Sequence, residues 1–195
     1  MSNSSYYDSS TRFFTRPGSR NTASVLDAVA KRAADLSVRK VLVASRSGKT
    51  ALAALKKLGP DIRIIAVTYV TGFSRPDFQE LREERRRKLE SAGVSVLTCQ
   101  HAFGGVGRAV RTRLATYQVD EILGYTLRIF GQGTKVAVEI SLMAADAGLV
   151  RTDEDIIAIG GTETGADTAL LVRPANSSRF FDFKVKEIIC KPAEF

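Results

Sequence analysis

The residues of this chain best suited to chemistry are crowded into Ser45-Arg46-Ser47-Gly48-Lys49-Thr50. Ser45, Ser47 and Thr50 offer hydroxyls, Lys49 a full positive charge, and Gly48 a backbone free to close on a ligand. Placed between a strand and a helix, such a turn aims several unpaired N–H groups and a helix dipole at one point. The ligand that answers all of these is an anion, and a phosphate above all. A plain turn with serine as N-cap is the competing reading. The turn is not a P-loop: Gly48-Lys49-Thr50 would need a glycine at position 43, where the chain has Val43. Phosphate binding is expected here, without magnesium-assisted triphosphate hydrolysis.

Three further loops carry small or hydroxylated residues suited to close approach. Residues 68–73 contain Thr68, Gly72 and Phe73, and residues 99–105 contain His101. Residues 160–168 bring Gly161, Thr162, Gly165, Ala166, Asp167 and Thr168. His101 has the type of a general base but no partner visible in sequence, and a loop histidine satisfied locally is the plainer reading. Asp167 and Glu163 could orient a ligand hydroxyl or simply form turns. Gly104-Gly105-Val106-Gly107 lacks the dinucleotide-fingerprint spacing and a following acidic residue. Cys99 and Cys190 make no metal spacing, and a single histidine cannot build a multi-histidine site.

The elements that must position these loops follow from periodicity. Val41–Ala44 and residues 62–67 read as buried strands, and 94–97, 156–159 and 169–172 as further strands. Apolar residues at helical spacing predict a helix from residue 22 or so, ended before the first strand, and another over 51–58. Residues 77–92 predict a charged helix, 106–115 a further one, and 134–147 a long apolar one stopped by Gly148. Phe181, Phe183 and Val185 alternate with charged residues, the period of a half-exposed strand at a sheet edge. Strands alternating with helices predict a three-layer α/β/α sandwich, its sheet mostly parallel with an antiparallel edge strand. The four loops then share the edge outside the carboxyl ends of the strands, where such sheets bind ligands.

Composition narrows the partners. The chain has 195 residues, 44% hydrophobic and 26% charged, with a formal net charge of +8. Those values fit one globular domain over residues 12–195 behind a flexible tail at 1–11, with anionic partners favoured. The basic run Arg82–Lys88 is interleaved with Glu80, Glu83, Glu84 and Glu90 at helical spacing. A self-paired, solvated helix face is expected there, and no nucleic-acid partner is expected without stacking aromatics. No apolar run reaches the length of a membrane helix and no signal-peptide pattern opens the chain, so a cytoplasmic protein off the membrane is expected. The aromatic strand, with Phe13 and Phe14, carries more apolar surface than one layer buries, and a homo-oligomer is expected.

The chain resembles the stand-alone homologues of the pyruvate kinase C-terminal α/β domain. The segments that carry the resemblance are Phe14–Thr22, Val43–Thr50, Leu127–Val136 (Leu-Arg-Ile-Phe-Gly-Gln-Gly-Thr-Lys-Val), Met143–Gly148, Thr168–Asn176 and Phe180–Pro192. The Phe-Gly-Gln-Gly-Thr-Lys run is specific to the stand-alone group. In pyruvate kinase the corresponding turn holds a phosphate of the allosteric sugar bisphosphate, which implicates Ser45, Ser47, Gly48 and Thr50, with Lys49 an addition suited to an anion. For the stand-alone group the resemblance implies flavin mononucleotide (FMN) with its phosphate in this turn. It implies either a flavin-dependent oxidoreductase or a non-catalytic module sensing a phosphorylated metabolite. Pyruvate kinase activity is not carried over, because this sequence holds no catalytic barrel. The loop Thr68–Phe73 also departs from relatives, which tend to have His-Gln before Gly-Phe.

Overall fold

The computed structural model describes residues 6–195. Of the tail expected at 1–11, residues 1–5 lie outside the described residues, and 6–10 are exposed without regular structure. Thr11 is already tied down, its hydroxyl donating to the Ile188 carbonyl at 2.8 Å.

Seven strands of the described residues form one sheet: β1 (Arg12–Phe14), β2 (Lys40–Ala44), β3 (Arg63–Thr68), β4 (Ser95–Thr98), β5 (Ile156–Gly160), β6 (Thr168–Arg173) and β7 (Lys184–Pro192). Their order across the sheet is β1-β7-β6-β5-β2-β3-β4. Among the described residues, six α-helices cover it: α1 (Thr22–Leu36), α2 (Lys49–Leu58), α3 (Glu83–Ser91), α4 (Val106–Leu114), α5 (Val119–Leu127) and α6 (Gln132–Asp146). Successive residues of β2 divide between two cores. Val41 and Val43 join Val25, Val29, Ala51, Ala54 and Leu89 of α1, α2 and α3 on one face. Leu42 joins Ala137, Val138 and Leu142 of α6 on the other. That division is the strand period expressed as three layers.

The antiparallel strand lies inside the sheet, not at its edge. β6 runs against both neighbours, β5 and β7. The reason is connection length: residues 161–167 join β5 to β6, and 174–183 join β6 to β7, too short for a crossover. Two reversals return β7 to the common direction. The expected edge strand over Phe181–Val185 is likewise displaced. Ser177–Asp182 makes 3-10 turns instead, and β7 starts at Lys184 and runs into the apolar Ile188-Ile189-Cys190. Its outer side is covered by β1, with Phe13 opposite Lys191. The charged helix expected over 77–92 begins only at Glu83, because Gln79 bonds the backbone of Tyr69 and Leu81 and holds the preceding segment in a loop.

Helix α6 is buried nearly all round, as a helix at the centre of a layer must be. Its first turn lies against the strand ends: a Cβ on Gly133 would stand 2.1 Å from Thr168 Oγ1, and one on Gly160 would stand 2.2 Å from the Gly133 carbonyl oxygen. Only glycine permits that approach, and it brings Lys135 and Glu139 to the carboxyl edge of the sheet.

Candidate functional site

The connection from β2 to α2 is four residues long, 45–48, and each is accounted for. Ser45 N–H donates to the Val67 carbonyl at 2.9 Å, tying the turn to β3. Ser45 Oγ accepts from Ala51 N–H at 3.2 Å and so caps one orphan donor of α2. Gly48 has φ +82, the left-handed region, and a Cβ there would stand 2.8 Å from Arg85 Cδ. Arg85 Nη1 donates to the Ser47 carbonyl at 2.6 Å, setting a guanidinium on the turn. Among the described residues, the N–H groups of Arg46, Ser47, Lys49 and Thr50 have no acceptor. These donors and the dipole of α2 form a nest for an anion.

The turn is one wall of a cleft of about 1040 Å³ at the carboxyl edge of the sheet. The opposite wall is aromatic. Phe73 is stacked on His101, with ring centroids 5.1 Å apart and 23° between planes, and the Arg108 guanidinium carbon lies over the ring, 4.5 Å from its centroid. Tyr69 closes the cluster at 4.3 Å from Phe73. The floor comes from α6. Lys135 Nζ donates to Glu139 Oε2 at 2.6 Å, and Glu139 Oε1 accepts from Phe103 N–H at 3.1 Å.

His101 is anchored between these groups. Its Nε2 accepts from Val70 N–H at 3.4 Å, so the neutral ring carries its proton on Nδ1, 3.9 Å from Glu139 Oε2. Burial holds the imidazole below its ordinary pKa of 6.5, against the pull of Glu139, and Lys135 and Arg108 push the same way. Burial also lowers the Lys135 ammonium, with Glu139 opposing and Arg128 and Arg108 adding to the fall. The cleft thus holds a neutral histidine, a buried ion pair and a cationic rim.

Ser45, Arg46, Ser47, Lys49, Thr50, Thr68, Phe73, His101, Gly161 and Gly165 line the cleft. Gly48, Gly72, Thr162, Ala166, Asp167 and Thr168 do not. Asp167 is fully buried: its Oδ2 accepts from Gly18 N–H at 2.9 Å and Thr162 N–H at 3.1 Å, and its Oδ1 from the Thr168 hydroxyl at 2.8 Å. It shapes the 160–168 loop from behind, and Ala166 N–H is held there by Thr22 Oγ1 at 2.9 Å. Charged lining residues that the sequence reading did not place at a site are Glu80, Arg82 and Arg85, read there as a solvated helix face, and Arg108, Arg128, Lys135 and Glu139. For the last two a signal existed, an oppositely charged i,i+4 pair inside an otherwise apolar helix.

The chain matches the family described as pyruvate kinase, alpha/beta domain, over residues 23–172. Among solved structures it is similar to a pyruvate kinase of Cryptosporidium parvum, with 17% identity over 82% of this chain and 24% of that one, at a TM-score of 0.43. A structure of the Cryptosporidium parvum enzyme in complex with ADP gives 17% identity over 83% and 25%, at 0.42. The chain therefore spans about a quarter of the length of these kinases. A family match over more than half of the 195 residues, on a mostly parallel α/β sheet, places the chain in the pyruvate kinase α/β domain family.

Proposed function

We propose that the cleft binds a small phosphorylated ligand, with FMN the leading candidate, its phosphate seated on residues 45–50. The observation that carries this reading is the set of unpartnered N–H groups at Arg46, Ser47, Lys49 and Thr50, next to the Lys49 and Arg85 cations. Charge-assisted hydrogen bonds to a phosphate contribute about 1.5 to 3 kcal/mol each. The phosphate end of a flavin fits these residues. The ring end has aromatic neighbours in Tyr69, Phe73 and His101, with the Arg108 guanidinium packed over Phe73. A bound flavin would supply redox chemistry itself, and the chain would bind and orient it.

Phe73 already packs against Tyr69, His101 and Arg108, and that packing favours a second reading, a non-catalytic module that senses a phosphorylated metabolite. The visible absorption spectrum of the purified protein separates the two: a flavin gives its two-banded yellow spectrum, a metabolite none. Fluorescence quenching then tests the turn. Riboflavin is expected to bind at least tenfold more weakly than FMN, and Ser47→Asp to abolish the difference by setting a carboxylate against the phosphate. Equal affinities of the two flavins for the wild-type protein would move the site away from the turn.

A further inference from the structure

The basic residues around α3 do not form one self-paired face. Arg87 pairs with Glu83 at 2.9 Å, and Arg86 with Glu90 at 3.2 Å and with Thr98. Arg82, Arg85 and Lys88 face the other way, across a groove of about 480 Å³, toward Lys49 and Lys56 of α2. Glu84 is the one acidic residue lining that groove. Among the described residues, none of these five cations pairs with a carboxylate. Five cations beside a single carboxylate leave an excess of like charge that repels itself, and an anion relieves that repulsion.

The groove is continuous with the cleft. Lys49, Arg82 and Arg85 line both, so the groove begins where the phosphate turn ends. Lys56 and Lys88 line only the groove. Along α2, Lys49 and Lys56 are separated by seven residues, about 10 Å at the helical rise. An anion reaching from the turn to Lys56 and Lys88 must carry its charge along a line, and a monophosphate cannot.

We propose that the groove between α2 and α3 binds the further phosphates of a ligand whose first phosphate sits on residues 45–50. The ligand class is a diphosphate or longer phosphate chain, inorganic or borne by a nucleotide. This rests on the reading of the turn as a phosphate site. It separates the two functions of the basic residues: Lys49, Arg82 and Arg85 serve the junction, while Lys56 and Lys88 select for chain length.

Calorimetric titration at constant ionic strength near 0.15 M tests it, with inorganic phosphate and tripolyphosphate as probes. Tripolyphosphate is expected to bind the wild type at least tenfold more tightly than phosphate. Lys56→Gln with Lys88→Gln is expected to lower tripolyphosphate affinity tenfold or more and leave phosphate affinity unchanged. A charge-matched control, Lys31→Gln with Lys184→Gln, alters exposed residues outside the groove and should change neither. An equal loss in the control, or no loss in the groove variant, overturns the inference while phosphate binding keeps the turn. Failure of phosphate to bind, with tripolyphosphate still sensitive to the groove variant, counts against the turn alone. Binding of neither probe overturns both. FMN and flavin adenine dinucleotide distinguish the source: tighter binding of the dinucleotide, lost in the groove variant, assigns the groove to a nucleotide diphosphate. Equal flavin affinities beside tight tripolyphosphate binding assign it to an inorganic chain.

Discussion

His101 and the Lys135–Glu139 pair are the residues whose titration and truncation the fold should feel. The pKa of His101 is lowered in the folded protein by burial, with Glu139 opposing and Lys135 and Arg108 assisting. Between that lowered value and the ordinary 6.5, the unfolded chain binds the proton and the folded one does not, so stability rises with pH there. Protonation would also end the acceptance by Nε2 from Val70 N–H. The melting temperature should therefore fall as pH is taken below 6.5, and His101→Gln should flatten that fall. A wild-type melting temperature constant from pH 7.5 to 5.5 would contradict the assignment. Glu139→Ala leaves the Lys135 ammonium, 6% exposed, without its carboxylate, and breaking such a buried pair costs about 3 to 5 kcal/mol. Urea denaturation should show that loss, and Lys135→Met with Glu139→Leu should recover most of it.

At the scale of elements, the site depends on how closely α6 meets the sheet. Gly133 lies against Thr168 and Gly160, where a methyl group would overlap Thr168 Oγ1 at 2.1 Å. The obstruction is a fully buried strand residue with nowhere to move. Gly133→Ala is expected to destabilise the protein by about 1 to 3 kcal/mol through overpacking, and to weaken ligand binding by shifting Lys135 and Glu139. Unchanged urea midpoints would show that α6 can retreat without cost. The turn at Gly48 makes a different demand: its φ of +82 disfavours any other residue, while the atoms a side chain would meet belong to the flexible Arg85 and to Leu81.

At the scale of the whole molecule, the described residues include no helix long and apolar enough to cross a membrane. What they do expose is an apolar stripe on the α5 side: Val119, Ile122, Tyr125 and Ile129, each at least half exposed and at helical spacing. Val106 and Leu114 of α4 are exposed as well. Of the residues on which the sequence-based expectation of association rested, Phe13, Phe181 and Val185 are 61%, 92% and 44% exposed, whereas Phe14 and Phe183 are half-buried. The helical stripe adds a second exposed apolar surface, and a second copy of the chain is its expected cover. Light scattering at micromolar concentration should give a dimer mass or higher, and Ile122→Glu should reduce it to a monomer. A wild-type monomer would remove that expectation.

Local pattern was enough to read the β2 turn, the buried strands and the long apolar helix. Alternation of two and spacing of three to four are properties of neighbouring residues, and the turn's hydroxyls, glycine and lysine are adjacent in the chain. Strand order and direction were not legible, because they depend on partners far apart in sequence: β1 beside β7, and β6 reversed by two short connections. The same limit divided the site residues. Asp167 and Thr168 have the types of ligand-binding residues, yet packing turns them inward to hold Gly18 and Thr162. Arg108, Lys135 and Glu139 sit on helices that read as ordinary cover, Arg128 sits on a 3-10 turn in a stretch with no predicted element, and the approach of α6 to β5 and β6 brings Lys135 and Glu139 to the cleft. Among the cations of α3, Arg86, Arg87 and Lys88 each have a glutamate four residues away and Arg85 has none, so spacing accounts for Arg85; that Lys88 lines the groove beside Arg85 depends on where α2 lies.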